Sequence, residues 1–224
     1  MLKIILGILA GCIVVLGVYF AETGGPTPND ATPTNTTVVS PATTRATGTS
    51  TATTTTNKQT KNMDTISQAT LHTSMGDITI AFLPKQAPNT VANFIKLAQS
   101  GFYDGTKFHR VIKNFMDQGG DPLTKDDSKM AIWGTGGPGY QMSDEIGPTN
   151  SNLAGTIAMA NSGPNTAGSQ FFINAVDNPS LNSGYTVFGH VVAGMNVVLE
   201  INNTATDGRD RPLTPVVLTS VTLK

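Results

Sequence analysis

Residues 108–120 read FHRVIKNFMDQGG, and the reading of this stretch decides the fold. The run is apolar enough to lie in or beside a core, yet it carries Arg110 and Gln118 in a chain where charged residues make up only 13%. A guanidinium is too costly to bury without a partner. Strand alternation puts Arg110, Met116 and Gln118 on one face and Phe115 on the other, so a groove that used all four would need a turn between them, and Lys113-Asn114 is the natural place. Taken singly, Arg110 reads as a surface residue whose stem covers apolar area, and Gln170 beside Phe171-Phe172 as a buried amide bonded to backbone.

Outward from this stretch, residues 67–224 read as one globular domain. ATLHTSMGDITIAFL (69–83) alternates around Met75-Gly76-Asp77 and predicts a hairpin. Asn89 or Thr90 can cap a helix whose apolar positions Val91, Phe94, Ile95 and Ala98 follow helical spacing and which stops at Gly101. Short β-rich runs follow at 107–115, 156–160, 170–175, 186–192 and 216–223, with a second short helix over 195–201. Many strands and two helices suggest a mainly β fold, a closed barrel or sandwich with helical caps.

Charge and cysteine usage exclude several classes. The net charge is -1, and from Ser67 onward ten Lys and Arg face twelve Asp and Glu, so a nucleic-acid partner is not expected. The one cysteine, Cys12, lies in the N-terminal apolar run, which rules out an intrachain disulfide and thiol catalysis in the domain. His72, His109 and His190 have no companions at metal spacing, so no metal and no cofactor are expected.

The N-terminal part reads differently. Residues 1–21 hold an uncharged apolar run, Ile4 to Ala21, which as a helix would span roughly 27 Å, close to a bilayer core. Leu9-Ala10-Gly11-Cys12 also matches the lipobox of bacterial lipoproteins, whose cysteine is lipidated. The apolar part before Cys12 is short and the hydrophobic run continues past it, which favours an uncleaved signal anchor over a lipoprotein. Lys3 on the short side puts the domain outside the cytoplasm. Residues 22–66 are dominated by Thr with Pro, Ser and Asn, a composition that builds no core and acts as a tether reaching roughly 35 Å.

One motif misleads. Gly134-Thr135-Gly136-Gly137-Pro138-Gly139 satisfies the dinucleotide pattern, but no strand precedes it, no helix follows, and Pro138 removes a backbone donor. It reads as a flexible glycine loop. The carboxylate pairs Asp126-Asp127 and Asp144-Glu145 sit in loops and read as solvated. What remains is polar residues inside apolar runs: Arg110, Gln118, Asn161 and Gln170, with Gln170 and Phe172 on one strand face and Phe171 and Ile173 on the other.

Taken together, FHRVIKNFMDQGGD (108–121) and GTIAMANSGPNTAGSQFFI (155–173) resemble the two signature blocks of the cyclophilins, the barrel-type peptidyl-prolyl isomerases. NFIKLAQSGFYDGTKFHR (93–110) and YTVFGHVV (185–192) extend the likeness. The resemblance implies an eight-stranded antiparallel barrel capped by two α-helices, with the substrate groove on its outside. It makes Arg110 the catalytic arginine and gives Phe115, Met116, Phe172 and Leu181 to the proline pocket. Gln118, Ala160, Asn161 and Gln170 would hold the peptide backbone and order the arginine, so Arg110 would floor an open groove, paired with Gln118 or Gln170. Tyr185 stands where many eukaryotic members have a histidine and Ser180 where they have a tryptophan, so weak cyclosporin binding is expected.

The function so implied is cis-trans isomerisation of X-Pro bonds in unfolded or partly folded extracytoplasmic proteins, by a monomer and with no covalent intermediate. The alternative is a module that binds proline-containing segments, chaperone-like, with little catalysis.

Overall fold

The computed structural model describes residues 66–224. The apolar run, Cys12 and nearly all of the Thr-rich linker lie outside the described residues, and among those described no helix is long and apolar enough to cross a membrane.

The domain opens with the hairpin β1 (Gln68–Thr73) and β2 (Gly76–Phe82). Thr73 pairs with Gly76, so the turn is Ser74-Met75, one residue before the expected place, and Asp77 belongs to the strand. Helix α1 (Pro88–Gln99) follows and buries Val91, Phe94, Ile95 and Ala98 as its periodicity predicts. Its cap is not local. Ala87 occupies the N-cap with no side-chain bond, and the Glu145 carboxylate instead accepts from the backbone N–H groups of Asn89 (3.1 Å) and Thr90 (2.8 Å) and from both side chains. Glu145, expected to be solvated, therefore ties a distant loop to the helix start, where negative charge is favoured. Burial pushes its carboxyl up, but the bonds from Thr90 and Asn89 hold it below the usual range. Glu145→Ala should cost about 1 kcal/mol and lower Tm by about 2–4 °C at pH 7. The loss should fade as pH falls through the carboxyl's range, and a Tm unchanged at pH 7 would count against this cap.

The expected strand over 107–115 is broken. Thr106–Lys107 forms β3 and Arg110–Ile112 forms β4, followed by β5 (Met116–Gly119). The other strands are β6 (Thr156–Met159), β7 (Phe171–Asn174), β8 (Val187–Ala193) and β9 (Val217–Leu223), with α2 (Met195–Asn202) between the last two. All pairs are antiparallel in one sheet, ordered β3-β9-β1-β2-β8-β6-β7-β5-β4. The expectation of a closed eight-stranded barrel is thus corrected to one curled sheet of nine strands among the described residues. Its two end strands, β3 and β4, are halves of a single run that bends at Phe108-His109, because the first half pairs with β9 and the second with β5. The sheet is curled, mainly β, and carries two helices.

Inside the curl lies an aromatic core. The Phe94 ring sits 4.9 Å from Tyr103, 5.3 Å from Phe188 and 5.9 Å from Phe171, centroid to centroid. Such pairs add about 0.5–1.5 kcal/mol beyond area burial. Ile157, Ile173 and Val111 complete this face. Alternation then forces the intervening residues, Met116, Ala158, Phe172 and Val187, to the opposite side, where they form a second buried cluster. That second cluster carries the site.

Candidate active site

Arg110 and Gln118 face each other across the β4–β5 ladder, and Ile112 faces Met116. The turn between them is Lys113-Asn114-Phe115, with Asn114 at φ 57° and the Phe115 N–H donating to the Ile112 carbonyl at 3.0 Å. The turn expected at Lys113-Asn114 is there. It brings Phe115 to the side of Met116 and Phe172, and the half-buried Ala160, Leu181 and Tyr185 pack against the same cluster. The Tyr185 ring meets Phe172 edge-on at 5.5 Å.

Polar groups order the rim of this patch. An Arg110 Nη1 proton points to Gln118 Oε1 at 3.4 Å, and Gln118 Nε2 donates to Gln170 Oε1 at 2.9 Å. Gln170 Nε2 in turn donates to the carbonyls of Gly134 (3.0 Å) and Gly136 (2.8 Å). Arg110 is therefore met by Gln118, and Gln170 acts one link further back. The two fixed glycine carbonyls leave each amide only one orientation that satisfies the chain. The guanidinium stays partly open, with its side chain 44% exposed, and its Nε lies 3.7 Å from Asp210 Oδ2.

The glycine loop at residues 134–139 is thus part of the site. It lines a cavity of about 800 Å³ together with Gln118, Asn161 and Gln170. Fully buried Asp121 holds the loop by accepting from the N–H groups of Gly134 and Gly136. At Gly136 a Cβ would stand 2.1 Å from the Asp121 carboxylate, so no other residue fits. Asn161 faces this cavity by its loop position, but its amide is engaged: Nδ2 donates to the Gly184 carbonyl at 2.7 Å. Ala160 N–H donates to the Gln170 carbonyl at 2.9 Å.

A lattice of asparagines fixes the remaining loops. Asn150 Nδ2 donates to the Asn182 and Tyr185 carbonyls, which sets the arc bearing Leu181 and Tyr185. Asn178 Nδ2 donates to the Phe115 carbonyl (3.0 Å) and to Asn174 Oδ1 (2.7 Å). From the core side, Asn202 of α2 clamps the β4–β5 turn: its Oδ1 accepts from Asn114 N–H (2.8 Å), and its Nδ2 donates to the Ile112 carbonyl (2.9 Å) and to buried Asp117 (2.8 Å). Sequence reasoning missed Asp121, Asp117, Asp210 and these asparagines. The parity of Asp117, core-facing between Met116 and Gln118, was the one available signal.

A curled antiparallel sheet that presents an apolar patch beside an ordered arginine has the make-up of a peptide-binding isomerase. The sequence profile of the family described as "Cyclophilin type peptidyl-prolyl cis-trans isomerase/CLD" matches residues 68–223. The chain is 48% identical over 173 residues to peptidyl-prolyl cis-trans isomerase A of Mycobacterium tuberculosis, covering 69% of this chain and 91% of that protein. It is 45% identical over 155 residues to a peptidyl-prolyl cis-trans isomerase of Arabidopsis thaliana, covering 69% and 94%. The crystal structure of a Cryptosporidium parvum cyclophilin-type isomerase superposes with a TM-score of 0.64 at 31% identity, over 71% of this chain and 98% of that one. The chain belongs to the cyclophilin-type peptidyl-prolyl cis-trans isomerase family, and its activity is peptidyl-prolyl cis-trans isomerisation.

Proposed function

We propose that Arg110 is the group that lowers the rotation barrier, acting on X-Pro bonds of extracytoplasmic proteins while the chain, a monomer, is held at the membrane by its N-terminus. Amide resonance sets that barrier at about 18–20 kcal/mol, and rotation breaks no bond. A nucleophile is unnecessary. In the twisted state the proline nitrogen regains its lone pair, which a guanidinium N–H approaches more favourably than the planar nitrogen, so the contact is stronger in the transition state than in the ground state. The apolar cluster of Met116, Phe172, Leu181 and Phe115 grips the ring and leaves the preceding carbonyl to rotate.

The observation that carries this reading is the relay from the Gly136 carbonyl through Gln170 and Gln118 to Arg110, which engages one donor of a rigid fork and leaves the others for substrate. A structure of the Cryptosporidium relative was obtained in the presence of the dipeptide Ala-Pro, so an Ala-Pro peptide is the natural probe. NMR exchange spectroscopy with the full chain should show accelerated cis-trans exchange and no covalent adduct by mass. Gln170→Ala, which frees the relay without touching the guanidinium, should lower kcat/KM by about tenfold; full activity would sink the relay.

Two further parts of the proposal rest on sequence. Lys3 and the apolar run Ile4–Ala21 support the tether, and fractionation with the mass of the mature N-terminus, in wild type and Cys12→Ser, distinguishes an anchor from a lipid. Ser180, exposed on the 3-10 turn Pro179–Leu181, offers no indole to a bulky macrocycle, which supports weak cyclosporin inhibition. A sub-micromolar inhibition constant would contradict it.

A further inference from the structure

Beside the glycine-loop cavity, sharing Gln118 and Gly134 with it, lies a smaller one of about 200 Å³. Its walls include His109, Trp133, Met130, Arg209 and Arg211. The volume is below the range of small-molecule pockets and suits a single side chain.

Its charge is unusual for this domain. Three guanidinium groups, Arg110, Arg209 and Arg211, line it, and the carboxylates among them are Asp207 and Asp210. Arg211 is fully engaged, with Nε at 2.8 Å and Nη2 at 2.6 Å from Asp207 Oδ2. Asp210 stands 3.7 Å from Arg110 Nε, beyond hydrogen-bond range. Arg209 is exposed; its backbone N–H donates to Asp207 Oδ1 at 2.8 Å, but its guanidinium has no carboxylate within 4.0 Å among the described residues. Asp121, beneath the cavity, is occupied with the N–H groups of Gly134 and Gly136, so the Arg209 guanidinium is the cation left without a carboxylate partner, at a rim of a domain whose charged residues are otherwise slightly acidic.

Beneath it His109 is 5% exposed, and neither ring nitrogen has a partner. Such a buried, unpaired polar group is costly unless something meets it. Met130 and Trp133 supply apolar walls for methylene groups, and the Trp133 ring is itself fixed by Lys107 over its face at 4.9 Å.

We infer that this cavity is a subsite for the carboxylate side chain of an Asp or Glu lying close to the proline in the substrate peptide. The inference rests on the isomerase reading of the neighbouring groove, because the cavity shares Arg110 and Gln118 with it and an occupant there is covalently part of the bound peptide. The unpaired Arg209 guanidinium suits a carboxylate, which an arginine fork receives through two parallel N–H donors. Arg209 supplies the main contact, and Asp210 stays beside Arg110.

The test uses the full chain and pairs of Ala-Pro peptides that carry either Glu or Gln at each of the three positions on either side of the proline. Catalysed exchange is read by NMR at low salt. For at least one position the Glu peptide should exceed its Gln partner in kcat/KM by about three- to tenfold. That ratio should fall to near one in Arg209→Gln, recover in part in Arg209→Lys, and shrink in about 0.5 M NaCl. A ratio near one at every position in wild type overturns the inference, as does a ratio that survives in Arg209→Gln. Failure of the isomerase reading looks different, since then the Gln peptides themselves would show no catalysed exchange.

Discussion

Arg110→Ala is expected to lower kcat/KM on an Ala-Pro peptide by about 100- to 1000-fold, the loss that follows removal of one donor aimed at developing charge. The fold should be untouched. The Arg110 side chain is 44% exposed, its partners are Gln118 at 3.4 Å and, more loosely, Asp210 at 3.7 Å, and the strand that carries it keeps its ladder to β5 without the side chain. Substitutions of this kind change stability by about 0.5 kcal/mol or less, so Tm should move by no more than about 2 °C. Arg110→Lys should recover little, because a point charge on a flexible stem cannot present one donor to substrate while another is held by Gln118. The measurement is NMR exchange alongside thermal unfolding. An active Arg110→Ala would leave the apolar patch alone as the catalyst and sink the assignment.

Asp117 should make the domain lose stability as pH rises. Its side chain points into the core, 1% exposed, with Oδ1 bonded to Asn202 and Oδ2 unpartnered. Burial, only partly offset by that bond, pushes its carboxyl up from the ordinary 3.8 to about 7. Below about pH 4 it is protonated in both states. Between pH 4 and 7 the unfolded chain releases this proton first, so folding is progressively penalised, and above about pH 7 the penalty is complete at about 4 kcal/mol. Asp117→Asn keeps the shape of the protonated acid and can still accept from Asn202. Chemical denaturation at pH 5 and pH 8 should therefore show wild type falling well below the variant at the higher pH. Parallel pH profiles would refute it.

Much of this site was legible in the chain. The alternation of Arg110, Met116 and Gln118 against Phe115 required a turn at Lys113-Asn114, and the ladder shows it. The period of Val91, Phe94, Ile95 and Ala98 located α1. Local pattern failed where the partner is remote in sequence. Glu145 caps a helix 55 residues earlier, and Asn202 satisfies an acid 85 residues away. No periodicity reports such pairings. The glycine loop was misjudged for a related reason: its backbone conformation is fixed by Asp121, and its role comes from the carbonyls it turns toward Gln170. Strand count differed because the bend at Phe108-His109 depends on which neighbours each half finds, a tertiary property.

The pairing of β1 with β9 sets the order of events when the chain is made. Ala69 lies opposite Leu223, and β3 has no other strand beside it than β9. A chain emerging from the ribosome can complete the β1–β2 hairpin early, but neither β1 nor β3 gains its β9 neighbour until residues 217–223 are free. Contacts so distant in sequence make closure slow. This prolyl isomerase is itself a late finisher, and a chain cut before Val217 leaves two strand edges bare.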